Sequence, residues 1–296
     1  MTATDGSTTA RTDDASGAAP GYSPGRTLTV GVELARQLRR RRTLVMAALL
    51  AALPIVLIIA LAVGTKDEGR GSGRPSMFDV ATASGLNLTA TVLIAGTGFL
   101  LVIPVALFFG DAVASEADWS SLRYLLAAPV PRTRLLVTKA IVALILSVAS
   151  VALLTAVALA AGTLAYGWGP LQTPANTALP AAEGLWRLLL AAGFIIVSEL
   201  ATAGLALWLS TRTDAPLAAV GGAVGLTVIG SVLDQVTALG GLRAALPAHW
   251  QYAWTDLLQP SIEWAAMAQG VSLSVSIALV FFALAVRGFR TKDVVS

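Results

Sequence analysis

The chain of 296 residues contains no cysteine and only one histidine, His249. Disulfides, thiolate metal sites and cysteine nucleophiles are therefore excluded, and a metal site built from several histidines is excluded with them. Charge is also scarce, since 12% of the residues are charged and 56% are hydrophobic. A soluble domain of this length carries roughly twice that share of charge. These absences indicate that lipid, rather than water, is the main solvent of the chain.

The sequence also lacks any Gly-Lys pair, because each of its lysines (Lys66, Lys139 and Lys292) follows a threonine. A phosphate-binding P-loop needs Gly-Lys followed by Ser or Thr, so that backbone amides and the lysine can surround the phosphates. We therefore expect that this chain is not an enzyme, binds no cofactor and hydrolyses no ATP. Its net charge of +3 is small, and its basic residues flank apolar runs, which favours a lipid bilayer over nucleic acid as partner.

Six apolar runs are each close to the ~20 residues that a membrane-spanning helix requires. They cover residues 43–63, 86–109, 140–161, 188–209, 216–239 and 269–286. Pro54 and Pro104 lie inside the first two runs and predict a kink in each. The fold class predicted from these runs is an all-α integral membrane protein with six transmembrane helices, over residues 27–296.

The N-terminal region before the first run divides into two parts. Residues 1–26 carry almost no large apolar side chains, which predicts a disordered tail. Val30, Leu34 and Leu38 then recur at spacings of four, and Glu33 falls outside that stripe. This pattern predicts an amphipathic elbow helix lying among the lipid headgroups before the chain enters the bilayer.

The distribution of Lys and Arg predicts the orientation in the membrane. If the N-terminus is inside, the inner segments hold fifteen of the twenty basic residues. Short cytoplasmic loops are enriched in Lys and Arg, so we expect both termini in the cytoplasm. The outer segment 240–268 is rich in aromatic residues, and Trp250, Tyr252, Trp254 and Trp264 are expected at the outer lipid interface, where the segment would act as a lid.

Residues 110–139, between the second and third runs, form a longer loop than a simple turn needs. Leu122, Leu125 and Leu126 make an apolar stripe at helical spacing, which Ser120 or Ser121 could cap. Glu116 and Asp118 contribute to a polar remainder, and Pro129 and Pro131 end the helix. The residues alone leave two alternatives open: a helix lying on lipid, or a docking helix for a cytoplasmic partner.

The same segment carries a motif, Glu116-x-x-x-Ser120-Ser121-Leu122-x-x-Leu125-Leu126-x-x-Pro129-x-x-Arg132. It resembles the signature of the membrane subunits of type-2 ABC exporters, Glu-x-x-x-Gly-Thr-Leu-x-x-Leu-Leu-x-x-Pro-x-x-Arg. A lysine opens the third span in that family, as Lys139 does here. The chain departs from the pattern at Ser120-Ser121, where Gly-Thr is usual. The resemblance covers most of the chain after residue 27.

The resemblance implies that this chain is the permease subunit of an exporter in a bacterial cell membrane. It implies that the segment from Glu116 to Arg132 is a coupling helix seated on a cytoplasmic ABC ATPase, a separate chain that binds ATP and Mg. It also implies a dimer, in which a second permease copy or homologue faces the first across a substrate path. Substrate would then leave the cytoplasm as the cavity between the two halves changes its access.

Two carboxylates lie within the apolar runs. Glu199 falls near the middle of the fourth run, where a charged side chain is costly unless it faces protein or water. Three roles for Glu199 are open: a contact for a cationic substrate, a proton relay, or a structural group that is hydrogen-bonded near Ser198 or Thr202. If it is a coupling site, the chain would be an ion- or proton-coupled secondary transporter. Asp234 lies nearer the outer face and could reach the interface.

Two further features of the sequence are a pair of glycines and the single histidine. Gly221 and Gly225 stand four apart in the fifth run, a spacing that lets helix backbones approach closely. The approach could be made within the chain or at an interface with a second subunit. His249 is expected to be a structural interfacial residue.

Overall fold

The computed structural model describes residues 29–64, 76–118, 132–174 and 177–290, and the predicted tail at 1–26 lies outside them. Helices dominate this part of the chain. In order they are α1 (Val30–Leu38), α2 (Arg41–Gly64), α3 (Gly85–Thr97), α4 (Val102–Asp118), α5 (Arg132–Tyr166), α6 (Ala181–Ser198), α7 (Leu200–Arg212), α8 (Pro216–Asp234), α9 (Pro247–Trp250) and α10 (Trp264–Arg290). Two 3₁₀ helices, Thr237–Ala245 and Ala253–Leu258, lie beside α9, and a short antiparallel hairpin pairs β1 (Leu171–Gln172) with β2 (Ala178–Leu179).

Among the described residues, five helical segments are long and apolar enough to cross a membrane: α2, α5, α6 with α7, α8, and α10. The helices α3 and α4 form a sixth if the pair, bent by 49° at a short break, is counted as one span. The prediction of an all-α, multi-pass membrane protein is therefore confirmed. The position of α1 among the headgroups stays a prediction.

Several predicted boundaries need correction. The helix α5 begins at Arg132 and α10 at Trp264, earlier than the apolar runs that we placed at 140–161 and 269–286. The fifth span ends at Asp234 instead of residue 239. Hydropathy detects the part of a helix that is strongly apolar, so it misses turns that continue into the polar ends.

The second span bends, but the bend does not centre on Pro104. The break covers residues 98–101, and Pro104 lies in the first turn of α4. Proline lacks the amide hydrogen that a continuous helix would donate to the Leu100 carbonyl, whereas the first turn of a new helix needs no such donor. In α2, the helix is continuous from Arg41 to Gly64 across Pro54.

The aromatic segment 240–268 fills this break; we name the two ends of the bundle inner and outer after the predicted orientation. A Cβ built on Gly98 would lie 2.5 Å from the Tyr252 hydroxyl oxygen and 3.5 Å from the ring carbon that bears it. Only glycine leaves room for that hydroxyl. Trp254, expected at the lipid interface, is instead fully buried in the outer core, while Trp264 is exposed. The segment packs on the bundle because its aromatic side chains fill the space that the bent span opens.

The apolar core has two parts. The outer part joins α3, α5, α6 and the aromatic segment, and it includes Leu88, Leu154, Ile195 and Trp254. The inner part joins α4, α5, α7, α8 and α10, around residues such as Phe109 and Leu136. In contrast, few residues in the apolar windows of α2 and α8 are buried within this chain. These two helices therefore have surface that lipid or another subunit can cover.

Hydrogen bonds connect the hairpin and the aromatic segment to the helices at the outer end of the bundle. Asn87 donates its side-chain amide to the Gln172 carbonyl at 2.7 Å and accepts the Gln172 amide at 2.9 Å. Arg187 is buried and donates to the carbonyls of Leu257 and Gln259 at 2.9 and 2.6 Å. These bonds attach the hairpin to α3 and the aromatic segment to α6.

We predict that Gly98→Ala destabilises the protein by about 1–3 kcal/mol, the usual cost of overpacking. Tyr252→Phe alone should cost about 1 kcal/mol, because it removes the hydrogen bond of the hydroxyl with the Gly98 backbone. The double variant should lose less than the sum of the two, because removal of the hydroxyl leaves only an ordinary 3.5 Å contact. Thermal unfolding in detergent measures all three.

The matched control for this test is Gly193→Ala, since a Cβ there meets nothing within 4 Å. It should leave the unfolding temperature within about a degree of the wild type, in line with an exposed site. Strictly additive effects of Gly98→Ala and Tyr252→Phe would show that the hydroxyl does not occupy the break.

Candidate functional site

The inner end of the bundle, which carries α1, holds a cluster of buried and half-buried charges. We call it the inner ion cluster. Its members come from α1, the α1–α2 junction, α2, α4 and α5. They are Glu33, Arg36, Arg40, Arg42, Asp111, Glu116 and Lys139.

Glu116 is the centre of one half of the cluster and is 1% exposed. It accepts from Arg36 Nη2 at 2.5 Å and from Lys139 Nζ at 2.9 Å. Glu33 Oε1 accepts from the same two donors, at 2.8 Å from Arg36 and 3.4 Å from Lys139. Two acids and two bases therefore connect α1, α4 and α5 at a single point.

Asp111 forms the other half of the cluster, one to two turns earlier on α4. It is buried and accepts from Arg40 Nη1 at 2.7 Å and from Arg42. Nearby, the backbone amides of Val113 and Ala114 each donate to Ser210 Oγ of α7 at 3.0 Å. The inner end of α4 is thus held by arginines on one side and by α7 on another.

Glu33 and Arg36 stabilise each other's ionised forms. Burial acts to raise the pKa of Glu33, but the hydrogen bond from Arg36 and the positive charges of Lys139 and Arg36 outweigh it and hold that pKa below its usual value. The pKa of Arg36 is raised, because its bonds to Glu33 and Glu116 exceed the opposing effect of burial. For Arg40, burial prevails over the attraction of Asp111 and lowers the pKa.

The segment 110–139, predicted as a loop, differs from that prediction. The helix α4 runs to Asp118 and α5 begins at Arg132, so most of the predicted loop is helical. Glu116 points into the ion cluster and does not lie on the polar face of an interfacial helix. The remaining motif residues Ser120, Ser121, Leu122, Leu125, Leu126 and Pro129 lie outside the described residues.

The buried face of α1 also differs from the predicted one. Val30 and Leu34 pack on the inner core as expected, but Leu38 is half exposed and Glu33 is buried. The apolar stripe predicted that Glu33 is exposed. In the structure Glu33 can be buried because Lys139 and Arg36 neutralise its charge, and periodicity alone does not identify such partners. Asp111 was missed as well. The sequence does contain a signal for Asp111: it is a single acidic residue directly after an apolar run, and the arginines at 39–42 directly precede another apolar run.

Glu199 occupies the junction between α6 and α7 and is 7% exposed. Its Oε2 atom is buried without a hydrogen-bond partner. Thr202 interacts with the carboxyl group, whereas Ser198 donates to the Ile195 carbonyl at 2.9 Å. Thr202 in turn lies 3.4 Å from the Thr227 hydroxyl on α8. A buried carboxyl group therefore stands at the contact of α7 with its neighbours, only partly satisfied.

The structure shows what surrounds Asp234 and the two glycines of α8. Asp234 Oδ1 lies 2.7 Å from His249 Nδ1, so the two residues join the end of α8 to the outer segment. A Cβ built on Gly221 or on Gly225 meets nothing within 4 Å. The close approach predicted for these glycines is therefore not made to any described residue of this chain.

The described residues also contain no group of three or more His, Asp or Glu that could hold a metal.

We predict that Glu116→Gln destabilises the docking of α1, because it leaves the buried Lys139 short of a charged acceptor. Removing one partner of a buried pair costs about 3–5 kcal/mol. The additional change Lys139→Met should recover part of that loss, since no buried charge then lacks its partner. Hydrogen exchange of the α1 amides measures both effects. Equal exchange rates in wild type and Glu116→Gln would contradict the cluster.

A second prediction concerns acid. Since the pKa of Glu33 is lowered in the folded state, its stabilising effect is complete above the ordinary value of 4.5 and is lost as pH falls through the folded value. We expect α1 to stay docked from pH 7 to about 5 and to loosen below.

The loosening of α1 in acid can be followed with a single fluorescent label. Because it has no cysteine, a single Val32→Cys substitution on the exposed side of α1 can carry a fluorophore. The anisotropy of the probe should fall in acid in the wild-type background. In Glu33→Gln it should already be lower at pH 7 and change less. A transition of the same size in both backgrounds would assign it to another group.

Comparison with known proteins agrees with this architecture. No curated protein sequence matches the chain. The family model described as ABC-2 family transporter protein matches residues 36–217, more than half of the chain, and that match spans α2 to α7 with the inner ion cluster except Glu33. The chain therefore belongs to the ABC-2 family of transporter permeases.

Proposed function

We propose that this chain is the membrane subunit of an ATP-driven exporter, energised by a separate cytoplasmic ATPase that binds the ATP and Mg. The observation that supports this most is the position of the inner ion cluster. Glu116 and Lys139 lie on either side of the segment 119–131 and are bonded to each other at 2.9 Å. A displacement of that segment would therefore reach α4 and α5 together, and α1 through Arg36.

The contacts of α4 suggest how such a displacement would act on the bilayer-spanning part. Its inner end is bonded to Ser210 of α7, and Gly110 lies close enough to α8 that a Cβ there would be 2.9 Å from Val220. Its outer end is the break at residues 98–101, where the second span bends by 49°. In the proposed mechanism, α4 swings about this break and carries α7 and α8, while the outer core stays fixed.

This geometry divides the motif residues into two roles. Glu116 is occupied by Arg36 and Lys139, so we assign it to positioning of the segment and not to contact with the ATPase. The proposed ATPase contacts are Ser120, Ser121, Leu122, Leu125, Leu126, Pro129 and Arg132. Docking by an apolar helix face against a groove follows the common mode of helix recognition.

We further propose that two permease copies, or this chain and a homologue, face each other through α8. The face of α8 that contains Gly221 and Gly225 is open in the single chain, and Leu217 and Val232 beside it are strongly exposed. Small residues that allow close backbone approach are typical of helix interfaces in membranes. The substrate path would then lie between the two copies in the cell membrane, with both termini in the cytoplasm.

An ion- or proton-coupled secondary transporter is the second candidate. The unpartnered Oε2 of Glu199 in the middle of the bundle favours it, since intramembrane carboxylates often mark ion pathways. The two candidates differ in their need for nucleotide. Transport by vesicles that contain this chain alone would favour the second candidate.

We predict that an ATPase co-purifies with the affinity-tagged chain from its native membranes and is lost in the variant Leu122→Asp/Leu126→Asp. Two carboxylates on the docking face would have to be desolvated at an apolar contact, which costs several kcal/mol. ATP hydrolysis by the eluted complex measures the association.

The control for this experiment is Leu242→Asp, an equally apolar and strongly exposed position at the opposite end of the bundle. It should retain the ATPase fully. Glu116→Gln should retain part of the activity, because it disturbs positioning only. An undiminished complex in the double aspartate variant would overturn the docking proposal.

A further inference from the structure

The inner half of the bundle contains a groove of about 280 Å³ between α5 and α10, with α4 and α7 as its floor. Its lining is apolar and includes Phe109, Leu144, Leu200 and Phe282. Ile141 on α5 and Leu279 on α10 are exposed along its edges, so within this chain the groove opens sideways toward the surrounding membrane. A pocket of this size accepts the body of a small organic molecule.

A small recess adjoins the groove and contains Glu199. The recess and the groove share four lining residues: Phe109, Leu144, Leu200 and Ala203. Ser147 also lines the recess, but its hydroxyl donates to the Ala143 carbonyl at 2.8 Å and is therefore not available to neutralise an acid. Among the described residues that line the recess, none is cationic. The Oε2 atom of Glu199 thus stands beside an apolar groove without a partner.

We propose that Glu199 and this groove form a binding site for a lipophilic organic cation, with the positive group beside the Glu199 carboxylate and the apolar body in the groove. Three features support this class of ligand. The carboxyl group is more than nine-tenths buried and its Oε2 atom lacks a hydrogen-bond partner, so that atom is available to a positive group. The groove supplies apolar contact for a ligand that reaches it from the membrane. The Phe109 ring lines both spaces and can stack on a cation.

Other cations fit this site less well. Mg²⁺ and Ca²⁺ require several oxygen ligands, and the described residues hold no group of three acidic or histidine side chains. An organic ammonium or phosphonium ion spreads its charge over apolar substituents, so a single carboxylate and an aromatic ring are sufficient to hold it. As a statement about cargo, the inference rests on the proposed export function; as a statement about binding, it stands without the ATPase.

The test uses two probes of nearly the same shape: methyltriphenylphosphonium, which carries a positive charge, and triphenylphosphine oxide, which is neutral. The full-length chain is placed in nanodiscs of uncharged phosphatidylcholine, and binding of each probe is measured by equilibrium dialysis against empty nanodiscs. We expect saturable binding of the cation and an affinity for it at least about tenfold above that for the neutral probe, as a charge-assisted contact gives.

Variants assign the charge preference to Glu199. Glu199→Gln should weaken cation binding about tenfold or more and leave the neutral probe within about twofold. Glu199→Asp keeps a carboxylate and should retain most of the preference. Ser150→Ala is the matched control, because Ser150 lies about one turn from Ser147 on α5, makes the same kind of bond to its own helix and lines neither the recess nor the groove; it should bind both probes as the wild type does. Ala140→Phe, which narrows the groove, should weaken both probes together.

Several results would overturn the proposal. They are equal affinity of the two probes in the wild type, cation binding no stronger than to empty nanodiscs, or full retention of the preference in Glu199→Gln. The first two comparisons need no variant, so they decide the matter even if a substitution impairs folding. Because the assay contains neither ATPase nor nucleotide, its failure would leave the docking experiment intact, and failure of docking would leave the binding result intact.

Discussion

The neutralisation of three buried carboxylates at the inner end is the constraint on which the arrangement of the helices depends. Glu33, Asp111 and Glu116 lie where water is largely excluded, and each must be ionised next to a base or not ionised at all. Apart from the Arg36–Glu33 pair within α1, their bases come from other segments, so the charges constrain how α1, α2, α4 and α5 are placed relative to each other. Directional contacts of this kind fix the register that apolar packing in lipid leaves open.

The outer half is held by different means. Hydrogen bonds to backbone carbonyls, the hairpin on Asn87 and the buried Trp254 make it a compact cap, and the Tyr252 hydroxyl fills the break at Gly98. Several elements reach both halves, among them the bent second span and the continuous helix α5. Within the second span, the break at residues 98–101 is the point at which the inner part can move relative to the outer core.

The all-α class, the multi-pass architecture and the family could be predicted from the sequence, because long apolar runs and a spaced motif are local signals. The inner ion cluster could not. Arg36 and Glu116 are 80 residues apart, and periodicity assigns a residue to a face without naming its partner. Glu33 was assigned to the polar face of α1 for that reason. The end of α4 was missed because polar turns that extend a span resemble loop in composition.

The same electrostatic argument that explains the inner ion cluster sets Glu199 apart. A structure that provides bases for Glu33, Asp111 and Glu116 leaves a fourth carboxyl group, deeper in the bundle, with an oxygen that has no hydrogen-bond partner among the described residues. Local rules are broken most often where function requires it. If Glu199 were only structural, glutamine would meet the same needs, and its amide could donate to a neighbour. A carboxyl group gains an advantage at this position only when a positive charge or a proton comes to it.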